Sequence, residues 1–108
     1  MRGELGSGVV RYEKDGERLE LFTRVLALDP MDIMSYNQMA YIYEHLGNFE
    51  KSIGLNQRVL ELDPMDHSSA NEIAVAHRLA GDFQKAIEAY DLSIAINPDL
   101  PAPYYRKP

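Results

Sequence analysis

Apolar residues recur along this chain at steps of three and four, the spacing that keeps side chains on one face of a helix. Polar residues fill the positions between them. The clearest apolar runs comprise Tyr36, Met39, Ala40 and Tyr43, and later Phe83, Ala86, Ile87, Tyr90 and Ile94. The pattern predicts amphipathic helices and an all-α fold.

A short motif separates the helical runs at a fixed interval. Residues 28–32 read LDPMD, residues 62–66 read the same, and residues 96–99 read INPD, so the interval is 34 residues. At the same interval, LGNFEK at residues 46–51 aligns with AGDFQK at residues 80–85. Self-similarity at this period indicates stacked units, each built from two helices.

Glycine and proline mark the predicted helix ends. Gly adopts the left-handed conformation of a helix C-terminus without a Cβ clash, which suits Gly47 and Gly81. Pro lacks an N–H and restrains the residue before it, so the second helix of each unit should end there. These prolines are Pro30, Pro64 and Pro98. We expect Asp32 and Asp66 to cap the helices that follow.

The repeated unit resembles the tetratricopeptide repeat, a 34-residue helix-turn-helix with aromatic, small and proline positions in a set order. The matching residues are Tyr36, Met39, Ala40, Tyr43, Ser52 and Pro64, then Ala70, Ile73, Ala74, His77, Ala86, Tyr90 and Pro98. The resemblance implies an all-α solenoid of stacked hairpins. Asn56 departs from it, because the family has an aromatic residue there and the next repeat has Tyr90. Either the packing is thinner at Asn56 or its amide finds a partner.

The resemblance divides the chain into five parts and implies about five helices plus a short C-terminal segment. The parts are a flexible segment at 1–16, a half repeat at 17–30, repeats at 31–66 and 67–98, and a truncated repeat start or cap at 99–108. Arg18 supports the half repeat. It occupies the column of Ser52 and Ala86, where two helices of one hairpin leave room only for a small side chain.

Composition restricts the class of function. A chain of 108 residues with 45% hydrophobic content is typical of one globular domain. Its formal charge of −6 opposes nucleic-acid binding. Its apolar stretches are far shorter than the ~20 residues that cross a bilayer, and we expect a cytoplasmic protein with no membrane contact. There is no Cys for a disulfide or thiolate site.

Catalytic and metal chemistry lack candidates in the sequence. His45, His67 and His77 do not pair at the three- or four-residue spacing of helical metal ligands. We find no phosphate-binding loop and no nucleophile with a base and an orienting acid. We therefore expect no enzyme activity, no catalytic residue, no metal and no cofactor.

The concave face is the candidate binding site, because the resemblance implies that equivalent residues of the first helices form rows there. The rows are Asn37 with Asn71, Tyr41 with Val75, and Glu44 with Arg78. Asn offers a donor and an acceptor to a peptide backbone, and Tyr offers apolar contact. We interpret the chain as a non-catalytic scaffold for a protein or peptide. Alternatively, the two Asn are simply solvated and Tyr41 is a core residue.

Some members of the family hold an acidic C-terminal chaperone tail with Lys, Asn and Arg. In this sequence Glu72 stands where that Asn is expected. A carboxylate repels an acidic tail, so we expect such a ligand to bind poorly.

The lone helix predicts a second kind of contact. One adjoining hairpin cannot cover all its apolar residues, which are Leu19, Leu21, Phe22 and Val25. Exposed apolar patches mark interfaces, so a homodimer through the incomplete ends is possible. Two alternatives stay open: residues 1–16 fold back as a cap, or the chain is an accessory domain of a larger protein.

Overall fold

The computed structural model describes residues 2–98, with side chains from residue 14 onward, as five α-helices. They are α1 (Arg2–Leu28), α2 (Ile33–His45), α3 (Phe49–Leu62), α4 (His67–Leu79) and α5 (Phe83–Ile96). The described residues contain no strand, which confirms the all-α prediction. The segment predicted at 99–108 lies outside the described residues.

Each helix packs against the next one along the chain, which is the arrangement of a solenoid. Helices α2 and α3 form one hairpin, α4 and α5 form a second, and α3 contacts α4 between them. The single helix α1 packs on α2.

The two predicted glycine turns are confirmed. Gly47 and Gly81 have φ angles of 84° and 87°, in the left-handed region. Asn48 N–H donates to the Tyr43 carbonyl at 2.8 Å, and Asp82 N–H donates to the His77 carbonyl at the same distance. These bonds are those of the Schellman motif, which satisfies carbonyl groups at a helix end.

Proline and acidic residues set the other helix boundaries largely as predicted. Helices α1, α3 and α5 end two residues before Pro30, Pro64 and Pro98. Asp66 caps α4 by accepting from the N–H groups of Ser68 and Ser69. Asp32 stands at the N-cap of α2, but its carboxylate accepts from the Ser35 hydroxyl at 2.6 Å instead of from a backbone N–H.

Small side chains let the paired helices approach closely. Ser52 and Ala86, in the predicted small-residue column, are buried, and so are Ala40 and Ala74 on the facing helices. Arg18, in the same column of α1, is exposed, as expected for a helix without a hairpin partner. The core therefore runs as a layer between the helices of each hairpin.

Helix α1 begins earlier than the half repeat predicted at residues 17–30. A flexible segment is predicted at residues 1–16, whereas α1 begins at Arg2 and continues to Leu28. No proline precedes Pro30. A glycine costs a helix only about 1 kcal/mol, so the helix of the half repeat can extend through several of them.

Candidate functional site

A cavity of about 350 Å³ lies between α2 and α4, the first helices of the two full repeats. Its lining residues are Asn37, Gln38, Ala40, Tyr41, Asn56, Ser68, Ser69 and Glu72. Tyr41 is 66% exposed, so its ring is a surface feature and not part of the core. Two of the six predicted groove residues, Asn37 and Tyr41, thus share one recess.

Asn56 lines this cavity from α3 and is only 3% exposed. In the second repeat Tyr90 holds the same position, and it packs with Ala74 and Ala86. Asn56 is smaller than the aromatic side chain that fills this place in α5. Both outcomes that the sequence allowed are present: the packing is thinner here, and the amide has a partner.

Two polar side chains deep in the cavity already donate hydrogen bonds to other residues of the protein. Asn56 Nδ2 donates to the Ser52 carbonyl at 3.2 Å. Ser69 Oγ donates to Asp66 Oδ2, also at 3.2 Å. The Asn56 side-chain oxygen and the Glu72 carboxyl group offer acceptors to a ligand, and the second Asn56 N–H and the Ser68 hydroxyl offer donors. The amides of Asn37 and Gln38 at the rim offer both donors and acceptors.

Glu44 and Glu72 form an acidic pair beside the cavity. Burial, together with the neighbouring Glu72 carboxyl group, raises the pKa of Glu44 from 4.5 to about 7, while the Arg78 charge opposes the shift. Glu44 Oε1 is buried and has no hydrogen-bond partner among the described residues. Glu44 and Arg78, which the sequence places in one row of the groove, therefore interact electrostatically. Glu72, which also acts on Glu44, lines the cavity itself.

Asn71 and Val75, which the sequence places in the same rows, are not among the residues that line the cavity. Asn71 is only 9% exposed, and its buried Oδ1 has no hydrogen-bond partner in the described part of the chain. Val75 is half-buried. The two Asn residues of the predicted row therefore differ in exposure, since Asn37 is exposed and Asn71 is buried, and their role in binding stays a prediction.

A second cavity, also of about 350 Å³, lies between α1 and α2 on the other side of Tyr41. Its lining residues are Lys14, Asp15, Arg18, Gln38, Tyr41, Ile42 and His45. The rings of Tyr41 and His45 stack, with their centroids 6.4 Å apart. Tyr41 and Gln38 therefore form a ridge between two recesses. No pattern in the sequence indicates the second recess, because this recess depends on how α1 docks on α2.

The four residues predicted for self-association differ in exposure. Leu21 is 55% exposed, while Leu19, Phe22 and Val25 are half-buried. Helix α2 thus covers part of the apolar face of α1 and leaves Leu21 at the surface.

Within the described residues no group of three or more His, Asp or Glu side chains is arranged to hold a metal ion. In the same part of the chain no helix combines the length and apolar character that a membrane span requires.

Comparison with protein families gives two matches, both described as tetratricopeptide repeat. One covers residues 38–101 and the other residues 21–54. The search of curated protein sequences returned no significant match.

Solved structures with a similar fold include MamA, with a TM-score of 0.76 at 17% identity over 87% of this chain and 55% of that one. YrrB, a TPR protein with an unusual peptide-binding site, has a TM-score of 0.74 at 24% identity over 88% of this chain and 49% of its own. The first TPR of Spaghetti (RPAP3), bound to the HSP90 peptide SRMEEVD, has a TM-score of 0.73 at 16% identity. The match covers 90% of this chain and 77% of the Spaghetti chain. The chain spans about half the length of MamA and YrrB.

Proposed function

Because this chain belongs to the tetratricopeptide repeat family, we propose that it is a non-catalytic module that binds an extended segment of another protein between α2 and α4. The cavity lined by Asn37, Tyr41 and Asn56 is the observation that carries the proposal. An extended segment suits the site, because the recess is small and opens between two helices of neighbouring repeats.

The chemistry of the rim supports a peptide ligand. Asn37 and Gln38 can bond both the N–H and the C=O of a peptide backbone. The exposed Tyr41 ring gives a rigid apolar contact at a low cost in conformational entropy. Two proteins of the same fold, YrrB and Spaghetti, are described with a peptide-binding site or a bound peptide.

Panning a random peptide library displayed on phage against the purified chain tests this function. The selected peptide should bind at least about tenfold more weakly to Tyr41→Ala, a change of about 1.4 kcal/mol. Phe83→Ala is the matched control, because Phe83 is also an exposed aromatic residue but lies on α5 away from the groove. Equal binding to Tyr41→Ala and to the unmodified chain would show that the groove is not the site.

Self-association is a second candidate, favoured by the exposed Leu21 on a helix that packs on one side against α2. In this case α1 of one copy covers α1 of another in a two-fold dimer. Light scattering should give a mass near twice 12.3 kDa for the unmodified chain. For Leu21→Glu the mass should fall to that of one chain, 12.3 kDa. A single-chain mass for the unmodified chain at micromolar concentration would exclude it. The cytoplasmic location stays a prediction from composition.

A further inference from the structure

Equivalent positions of the two repeats carry different polar pairs. In the second repeat Arg78 Nε donates to the Tyr90 hydroxyl at 3.3 Å, across the α4–α5 hairpin. The same positions in the first repeat, 34 residues earlier, hold Glu44 and Asn56. A cationic donor and its acceptor are thus replaced by a carboxyl group and an amide.

This replacement leaves the first repeat with a surplus of acceptors. One N–H of the Asn56 amide and the Ser69 hydroxyl already donate to Ser52 and Asp66. Glu72 lines the cavity, and the buried Glu44 Oε1 beside it has no hydrogen-bond partner among the described residues. A ligand group that donates hydrogen bonds and carries positive charge complements the Glu72 carboxyl group and the neighbouring acceptors.

The rest of the cavity suits the stem of a long side chain. Ala40 and the Tyr41 ring form its carbon wall, and the volume of about 350 Å³ is at the low end of the range for ligand pockets, about 300–1,000 Å³. Lys and Arg bury an aliphatic stem while their charged end reaches polar groups. An aromatic wall such as Tyr41 also attracts a cation.

We propose, building on the peptide-binding function above, that the cavity beside Asn56 is a subsite for a Lys or Arg side chain of the bound peptide. The aliphatic stem lies against Ala40 and Tyr41, and the charged end reaches Glu72 and the Asn56 side-chain oxygen. The cation of the ligand thereby contacts Asn56, which occupies the position that Tyr90, the hydrogen-bond partner of Arg78, has in the second repeat.

The test uses the peptide selected from the phage library, with each basic residue replaced in turn by norleucine. Norleucine keeps a straight aliphatic stem and removes the charge. One replacement should weaken binding by about tenfold or more, because charge-assisted hydrogen bonds are lost. On Glu72→Gln the same replacement should have a much smaller effect, since its partner is already gone.

Two variants provide the controls. Glu88→Gln removes an exposed carboxylate on α5 and should leave the effect of norleucine unchanged. Asn56→Tyr places in the first repeat the residue that fills this position in the second, and it should remove the preference for the basic residue. Thermal unfolding of each variant shows that it is folded.

The outcomes separate this subsite from the function on which it rests. If Tyr41→Ala weakens binding but no norleucine replacement does, the peptide groove stands and the basic subsite is wrong. The same conclusion follows if the selected peptides contain no Lys or Arg. If Tyr41→Ala has no effect, the groove itself is wrong.

Discussion

The carboxyl groups of Glu44 on α2 and Glu72 on α4 lie near each other beside the cavity, and burial together with the neighbouring Glu72 raises the pKa of Glu44. Two neighbouring carboxyl groups repel each other when both are charged, which favours the protonated form of the more buried one. The charged groups of α4 near Glu44 are Glu72 and Arg78, and Lys14 and Arg18 of α1 line the recess beyond Tyr41. The raised pKa of Glu44 makes stability dependent on pH.

Stability should fall as the pH rises from about 4.5 to about 7. The pKa of Glu44 is raised to about 7 in the folded chain, mainly by burial, so the folded state holds a proton that the unfolded state has lost. The stabilising contribution is complete below pH 4.5 and is lost as the pH passes 7. We expect an effect of about 1 kcal/mol, because solvent screens a half-buried carboxyl group.

Urea unfolding at a series of pH values measures this effect. The difference in unfolding free energy between Glu44→Gln and the unmodified chain should grow across that pH window in favour of the variant. Glu88→Gln, which removes an exposed carboxylate on α5, should show no such trend. A pH-independent difference for Glu44→Gln would contradict the raised pKa.

Asn56→Tyr should stabilise the first repeat by about 0.5–2 kcal/mol, as cavity-filling substitutions commonly do. The neighbours favour the ring, because Ala40 and Ser52 correspond to Ala74 and Ala86, which pack around Tyr90. Thermal unfolding measures the change. A lower melting temperature would mean that Asn56 is needed for its hydrogen bond to Ser52 and that the cavity cannot accept the ring.

Glycine substitutions should have opposite signs at the turns and within a helix. Gly47→Ala and Gly81→Ala should each destabilise the chain by about 1–2 kcal/mol, because φ angles of 84° and 87° strain any residue with a Cβ. Gly54→Ala lies within α3, where a Cβ meets nothing within 4 Å, and should stabilise by about 0.5–1 kcal/mol. Melting temperatures of the three variants, compared side by side, check these signs.

Asn37→Ala should leave the unfolding free energy within about 0.5 kcal/mol, because Asn37 is exposed. The same substitution should weaken binding of a selected peptide by about 1–3 kcal/mol if the amide bonds its backbone. Calorimetric titration measures the second quantity. Asn71→Ala is unsuitable as a companion variant, since Asn71 is buried and its replacement alters the core.

A peptide with an acidic C-terminus should bind with a Kd of about 1 mM or weaker, which corresponds to a binding free energy of about −4 kcal/mol. Glu72 lines the cavity and repels a carboxylate. The peptide SRMEEVD, bound by the structurally similar Spaghetti, is a suitable probe. A micromolar Kd for SRMEEVD would contradict the acidic character assigned to the groove.

The sequence by itself determined the repeat, the helix ends and the class of fold. These features depend on local rules: Gly47 and Gly81 adopt angles that few other residues reach, and Pro30 and Pro64 cannot continue a helix. It also singled out Asn56, because a repeat supplies its own comparison in Tyr90. The flexible segment at residues 1–16 stays a prediction from composition, and the structure describes residues 2–28 as one helix.

The tertiary structure alone decided which side of each helix is open. Asn37 and Asn71 have the same place in the repeat, yet Asn37 is exposed and Asn71 is buried. The meeting of Glu44 with Glu72 likewise depends on the packing of α2 against the second hairpin. Burial and charge coupling arise between residues distant in sequence, so a periodic pattern gives the face of a helix but not what lies opposite it.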